Sequence, residues 1–262
     1  MTFGPLVSTE WLAEHLGDAD LKIIDGSWRM PGNGDAIDNY REQHLPGAVF
    51  FDIDAIADRS TSLPHMLPSP EEFEAAAGAL GIANQDRIVV YDEKGLFSAA
   101  RVWWMFRVMG HENIAVLDGG LPKWLKEGRP VTSEEIIPAR TNYQARPKPA
   151  LCANADDVRA ALADGVCVLD ARSAERFAGK VAEPRPHLRS GHMPGAKNLP
   201  FDRVLDEEGR FRSREELEAL FVGAGASPGA RVIASCGSGV SAAILYLALE
   251  TIGARNASIY DG

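Results

Sequence analysis

The sequence predicts an α/β protein of two tandem domains, each a mainly parallel sheet flanked by helices. Three observations predict it. The chain has 262 residues, more than a single domain of about 100–150 residues holds comfortably. Its two halves repeat one another. Short apolar runs alternate with helix-start signals, as in strands joined by crossover helices.

The repeat is carried by five blocks in the same order. Leu21-Lys-Ile-Ile-Asp25 matches Val166-Cys-Val-Leu-Asp170, and His44-Leu-Pro-Gly-Ala48 matches His192-Met-Pro-Gly-Ala196. Ser69-Pro-Glu-Glu72 matches Ser213-Arg-Glu-Glu216, Arg87-Ile-Val-Val90 matches Arg231-Val-Ile-Ala234, and residues 113–119 match 256–262. Ile23-Ile24, Val49-Phe50-Phe51, Ile88-Val89-Val90 and Ala115-Val116-Leu117 are short apolar runs bounded by turn or charged residues. They suit strands buried on both faces of a parallel sheet. Ser69 and Ser213 each precede a glutamate three residues on, a capping box that opens a helix, and Pro70 fits the first helical position. Leu121-Pro-Lys-Trp-Leu-Lys126 reads as a further helix. The second half stops at Gly262, so a counterpart of that helix is expected to be missing.

The stretch 136–150 holds Pro138, Pro147 and Pro149, shows no periodicity and reads as the linker. The expected domains are therefore 1–135 and 151–262. The halves also differ. The segment between His44 and Ser69 is four residues longer than that between His192 and Ser213, with the extra residues near Leu63-Pro-His-Met-Leu67. Between Asp170 and His192 the second half inserts 180–187.

Hydrophobic residues make up 45% and charged residues 24% of the chain, ordinary for a soluble globular protein. The formal net charge of −10 gives no overall attraction for nucleic acid or an anionic membrane, so an anionic substrate must be held by local positive groups. No apolar run approaches the roughly 20 residues of a membrane span. Met1-Thr-Phe-Gly-Pro-Leu-Val lacks the basic-then-apolar pattern of a signal peptide. Three cysteines, Cys152, Cys167 and Cys236, without tight spacing argue against a disulfide framework and a zinc site. The expectation is a cytoplasmic protein, in a reducing environment where a reactive thiol survives, with no metal or organic cofactor.

The sharpest motif is Ala234-Ser-Cys-Gly-Ser-Gly-Val-Ser-Ala-Ala243, between a strand and an apolar, helix-favouring run. A strand, a Gly-rich loop and a helix in this order make an anion site, because backbone N–H groups and the helix N-terminus converge. Gly237 and Gly239 permit tight curvature. A cysteine at the head of such a loop is favoured as the thiolate nucleophile, and the N–H ring suits a persulfide anion. The alternative, a small buried hydrophobe, fits Cys167 within a strand and Cys152 near the linker, but not a cysteine set among glycines and serines. Cysteine phosphatases use a similar loop closed by an arginine six positions on; here that position is Ala242, so nothing grips a phosphate dianion.

These motifs, with Phe51-Asp-Ile-Asp54, His65-Met-Leu-Pro68, Gly95-Leu-Phe-Ser-Ala-Ala-Arg-Val-Trp-Trp104 and Ile259-Tyr-Asp-Gly262, resemble the two-domain rhodanese superfamily over essentially the whole chain. Within it they resemble the 3-mercaptopyruvate sulfurtransferases. The resemblance implies tandem rhodanese-like domains, an inactive first and a catalytic second. The repeat agrees, since aligning Arg87 with Arg231 sets Asp92 opposite Cys236. It further implies transfer of sulfur from 3-mercaptopyruvate through a Cys236 persulfide to a thiol or cyanide, with thiosulfate as the alternative donor. The acceptor would be a small thiol or a thioredoxin-like protein.

By the same resemblance Arg176 and Arg185 clamp the donor carboxylate, against the alternative of two solvated surface arginines. Gly237, Gly239, Val240 and Ser241 complete the binding loop. Ser238, His65 and Asp54 form a relay beside the sulfur. Ser241 stands where threonine is more usual, and Phe97 where some members have tyrosine. His44 and His192 occur in both halves while only one half has the cysteine, so a structural role is expected for them.

Overall fold

In the computed structural model, which describes residues 4–185, 188–227 and 229–262, the chain divides into two compact units. The first runs to Lys148 and includes Glu207–Arg210; the second comprises Pro149–Asp206 and Phe211–Gly262. Each is built on a five-stranded, wholly parallel sheet.

The first unit contains β1 (Leu6–Val7), α1 (Thr9–His15), β2 (Leu21–Asp25), α2 (Ala36–Glu42), β3 (Ala48–Phe50), α3 (Pro70–Ala79), β4 (Arg87–Tyr91), α4 (Ala99–Val108), β5 (Ile114–Leu117) and α5 (Gly120–Lys126). The sheet order is β1-β5-β4-β2-β3. Because side chains alternate across a strand, Leu21, Ile23, Val89, Tyr91 and Leu117 face one layer with Leu12, Tyr40, Leu121 and Trp124 of the helices. The opposite face meets α4. A Cβ on Gly26 would lie 2.8 Å from a Val102 methyl and 3.1 Å from one of Val90, so only glycine allows that approach. Ser69 caps α3 reciprocally with Glu72 and Pro70 opens the helix, as the sequence predicts.

The second unit repeats the plan with β6 (Cys152–Ala153), α6 (Ala155–Ala163), β7 (Cys167–Asp170), α7 (Ala174–Phe177), β8 (Lys197–Asn198), α8 (Arg214–Gly223), β9 (Val232–Ser235), α9 (Val240–Thr251) and β10 (Ala257–Tyr260). Its order is β6-β10-β9-β7-β8. Val158 and Ala161 of α6 pack on Val168 and Ile233. The α9 helix is buried almost throughout, including Ala242–Glu250 without a break. An apolar helix covered all round holds its N-terminus rigidly at the end of β9, and that N-terminus carries the site.

The proline-rich linker segment is ordered by partners rather than by periodicity. Thr141 N–H donates to Gly78 O at 3.0 Å, and Arg146 and Lys148 donate to Met109 O and Val108 O at 2.8 and 2.7 Å. Tyr143, 2% exposed, stands edge-on to Phe73 and Phe106. Among the described residues no helix is long and apolar enough to cross a membrane.

Candidate active site

Cys236 follows β9 directly, and Gly237, Ser238 and Gly239 carry the chain into α9. The cysteine residue is partly exposed. The Ser238 N–H points at Cys236 Sγ, 3.5 Å away. Gly239 caps α9 in the left-handed region, φ 76°, and no side chain caps the helix. The first-turn N–H groups of Val240 and Ser241 therefore keep the unpaired character of a helix start, with the positive end of the helix dipole behind them. Val240 is buried and fixes the turn; Ser241 is half-buried.

The corresponding loop of the first unit explains by contrast what this one can do. There Asp92, 1% exposed, turns its carboxylate into the loop and accepts N–H bonds from Lys94, Phe97 and Ala99 at 2.8, 2.6 and 2.9 Å. That cradle is filled by its own anion. Burial pushes the Asp92 carboxyl up, although the backbone donors pull the other way. The second unit presents a thiol in the same place.

Two arginines reach the Cys236 loop. Arg185 Nη1 donates to Gly237 O at 3.3 Å. Arg176 Nη2 lies 3.1 Å from the point where a Cβ on Gly237 would stand. Gly237 is thus the residue that admits the Arg176 fork. Pro186 and His187, the end of the predicted insert, lie outside the described residues.

Two further charged residues, which the sequence does not single out, hold this cluster. Arg172 forks onto Asp170, with Nη2 2.6 Å from Oδ2 and Nε 3.0 Å from Oδ1, and its Nη1 reaches Glu183 Oε1 at 2.9 Å. Glu183 in turn accepts from Arg176 Nη2 at 2.5 Å and Nε at 3.3 Å. Burial favours the neutral acid at Glu183, but the two arginines outweigh it and hold the carboxyl below the usual range. The available signal was a failure of the repeat: Asp25-Gly-Ser27 of the first half is Asp170-Ala-Arg172 here. Asp170, Arg172, Glu183, His192, Cys236 and Gly237 line one cleft of about 460 Å³.

Of the remaining residues, Asp54 and His65 belong to the first unit and pair there. His65 Nε2 lies 2.8 Å from Asp54 Oδ1, and Trp28 Nε1 donates to Asp54 Oδ2 at 2.9 Å. His65 is held in the left-handed region, φ 62°, the sole non-glycine with positive φ among the described residues. Ser238 belongs to the second unit. His44 is fully buried between Tyr40 O and Glu134 O, a structural setting. His192 differs: it is exposed, stacks on Phe177 and donates from Nδ1 to Phe177 O at 2.8 Å. Cys167 Sγ sits 4.0 Å from Ala224 O, and burial pushes its thiol up, away from the thiolate.

The sequence and fold are shared with known proteins. The rhodanese-like domain family matches residues 8–127 and 154–262. The chain is 42% identical to 3-mercaptopyruvate sulfurtransferase of Escherichia coli strain K12, over 98% of this chain and 92% of that one. It is 44% identical to thiosulfate/3-mercaptopyruvate sulfurtransferase 1, mitochondrial, of Arabidopsis thaliana, over 100% of this chain and 75% of the relative. The crystal structure of SseA from Escherichia coli superposes with a TM-score of 0.91 at 39% identity, covering 99% of this chain and 98% of that one. With both halves matched and full-length relatives above 40% identity, the chain belongs to the rhodanese family, with two rhodanese-like domains in tandem.

Proposed function

We propose that the protein is a sulfurtransferase that takes sulfur from 3-mercaptopyruvate onto Cys236 and passes it to a thiol or to cyanide. One observation carries the proposal: a partly exposed cysteine at an uncapped helix N-terminus, with two guanidinium groups at the adjoining Gly237. The relatives' names support it.

In the first half-reaction the Cys236 thiolate attacks the donor sulfur. The new S–S bond forms as the donor C–S bond breaks, and the electron pair leaves on carbon as the enolate of pyruvate, which is then protonated. Arg176 and Arg185 hold the carboxylate. The loop N–H groups hold the persulfide, and Ser238 hydrogen-bonds at the sulfur. In the second half-reaction an acceptor thiolate, from a small thiol or a thioredoxin-like protein, attacks the outer sulfur and releases Cys236 as thiolate. A reducing cytoplasm suits this cycle.

Thiosulfate is the second reading, favoured by the Arabidopsis relative whose name carries both donors. The loop argues for mercaptopyruvate. Thiosulfate and its sulfite leaving group are dianions, and the two positions after the cysteine, Gly237 and Ser238, are neutral. Steady-state kinetics with both donors side by side test this. The expected kcat/KM is at least about tenfold higher for 3-mercaptopyruvate, roughly 1.4 kcal/mol in transition-state binding. An equal or better rate with thiosulfate would put the second reading first.

A further inference from the structure

We infer that Glu183 is the positioning residue of the arginine clamp and, by setting the net charge beside Cys236, a determinant of donor choice. The inference rests on the sulfurtransferase reading above.

Glu183 has 2% of its side chain exposed, Arg172 10% and Asp170 2%, whereas Arg176 is 27% exposed. The chain of pairs therefore runs from a buried anchor outward: Asp170 fixes Arg172, Arg172 fixes Glu183, and Glu183 fixes Arg176. Glu183 takes the Nε/Nη2 edge of the Arg176 fork. That is the two-point geometry in which a guanidinium also binds a free carboxylate. Held by two arginines, Glu183 does not leave when a donor arrives. It orients the fork so that Nη2 meets the loop at Gly237.

Its second effect is on charge. Arg172 and Arg176 face Asp170 and Glu183, and Arg185 reaches the neighbouring loop at Gly237; Arg189 and His192 stand on the exposed rim of the cleft. A monoanionic donor meets this cluster on modest terms. A dianion would gain twice as much from every added positive charge. Glu183 thus keeps the site cationic enough to hold one carboxylate while withholding the excess charge that favours thiosulfate.

The test is the donor ratio, (kcat/KM for 3-mercaptopyruvate)/(kcat/KM for thiosulfate), in Glu183→Gln. The variant keeps the shape and removes the negative charge. The ratio is expected to fall by about threefold or more, the scale of one charge pair in a water-exposed cleft, and the shift is expected to shrink as salt is raised. Glu183→Asp, which restores the charge, should return the ratio toward wild type whatever it does to absolute rates. Arg172→Ser copies Ser27 of the first unit, where the same sheet folds with serine at that place. It removes a positive charge, and the ratio should move the opposite way; it also provides the test if Glu183→Gln does not fold. A purely structural role would lower both donors in parallel, and an unmoved ratio in these variants overturns the inference. If instead wild-type Cys236 takes sulfur from neither donor, the underlying reading falls and the inference with it.

Discussion

Gly237→Ala isolates the contact that joins the clamp to the cysteine loop. Gly237 lies outside the left-handed region, so alanine fits its backbone without strain. The added methyl would stand 3.1 Å from Arg176 Nη2, whereas comfortable contact lies near 3.5–4.0 Å. Arg176 must retreat by roughly 0.4 Å. It cannot retreat freely, because Glu183 grips it at 2.5 and 3.3 Å. A charge-assisted hydrogen bond to the donor is worth about 1.5–3 kcal/mol. Weakening it by about 1 kcal/mol predicts a roughly fivefold lower kcat/KM for 3-mercaptopyruvate, read mainly in KM. The assay is pyruvate release at varied donor with acceptor saturating. Gly239→Ala is the contrast: φ 76° there makes any Cβ costly, by about 1–2 kcal/mol, so its effect should appear in stability as well. Unchanged kinetics in Gly237→Ala would refute the reasoning that Arg176 meets the donor at this loop.

Three other outcomes follow from the same geometry. Neutralising Arg185, whose Nη1 donates to Gly237 O, should cost donor efficiency one to two decades, about 1.5–3 kcal/mol, with little change in melting temperature. Asp92→Ala strips the acceptor from three N–H groups, of which that of Ala99 is buried, and should lower unfolding free energy by about 1–3 kcal/mol in urea titrations. Burial pushes Asp25 from 3.8 to about 6, against hydrogen bonds from Ser27 that pull it down. The folded state thus binds this proton more tightly than the unfolded chain, so the stabilisation is present below 3.8 and lost as pH rises through about 6. Unfolding midpoints of wild type should fall relative to Asp25→Asn across that window; parallel curves would contradict the assignment.

What was legible in the sequence was local. The capping boxes at Ser69 and Ser213, the strand runs and the helix after Gly119 depend on neighbours a few residues apart, and each stands where the pattern puts it. The Cys236 loop was legible because glycines, serines and a cysteine between a strand and a helix have few other uses. Arg172 and Glu183 were not, since their pairing spans a loop and shows in sequence only as Ser27 becoming Arg172. Tyr143 was hidden for a similar reason: its anchors, Phe73 and Phe106, come from two helices far back in the chain. The filling of the first cradle by Asp92 required knowing where the carboxylate points.

The central claim is that sulfur passes through Cys236. Incubation with 3-mercaptopyruvate in the absence of acceptor, followed by intact-protein and peptide mass spectrometry, tests it most directly. The account predicts one added sulfur atom, on Cys236, with Cys152 and Cys167 unmodified and no sulfur taken up by Cys236→Ser. Added sulfur on Cys152 or Cys167 instead, or sustained turnover by Cys236→Ser, would contradict it.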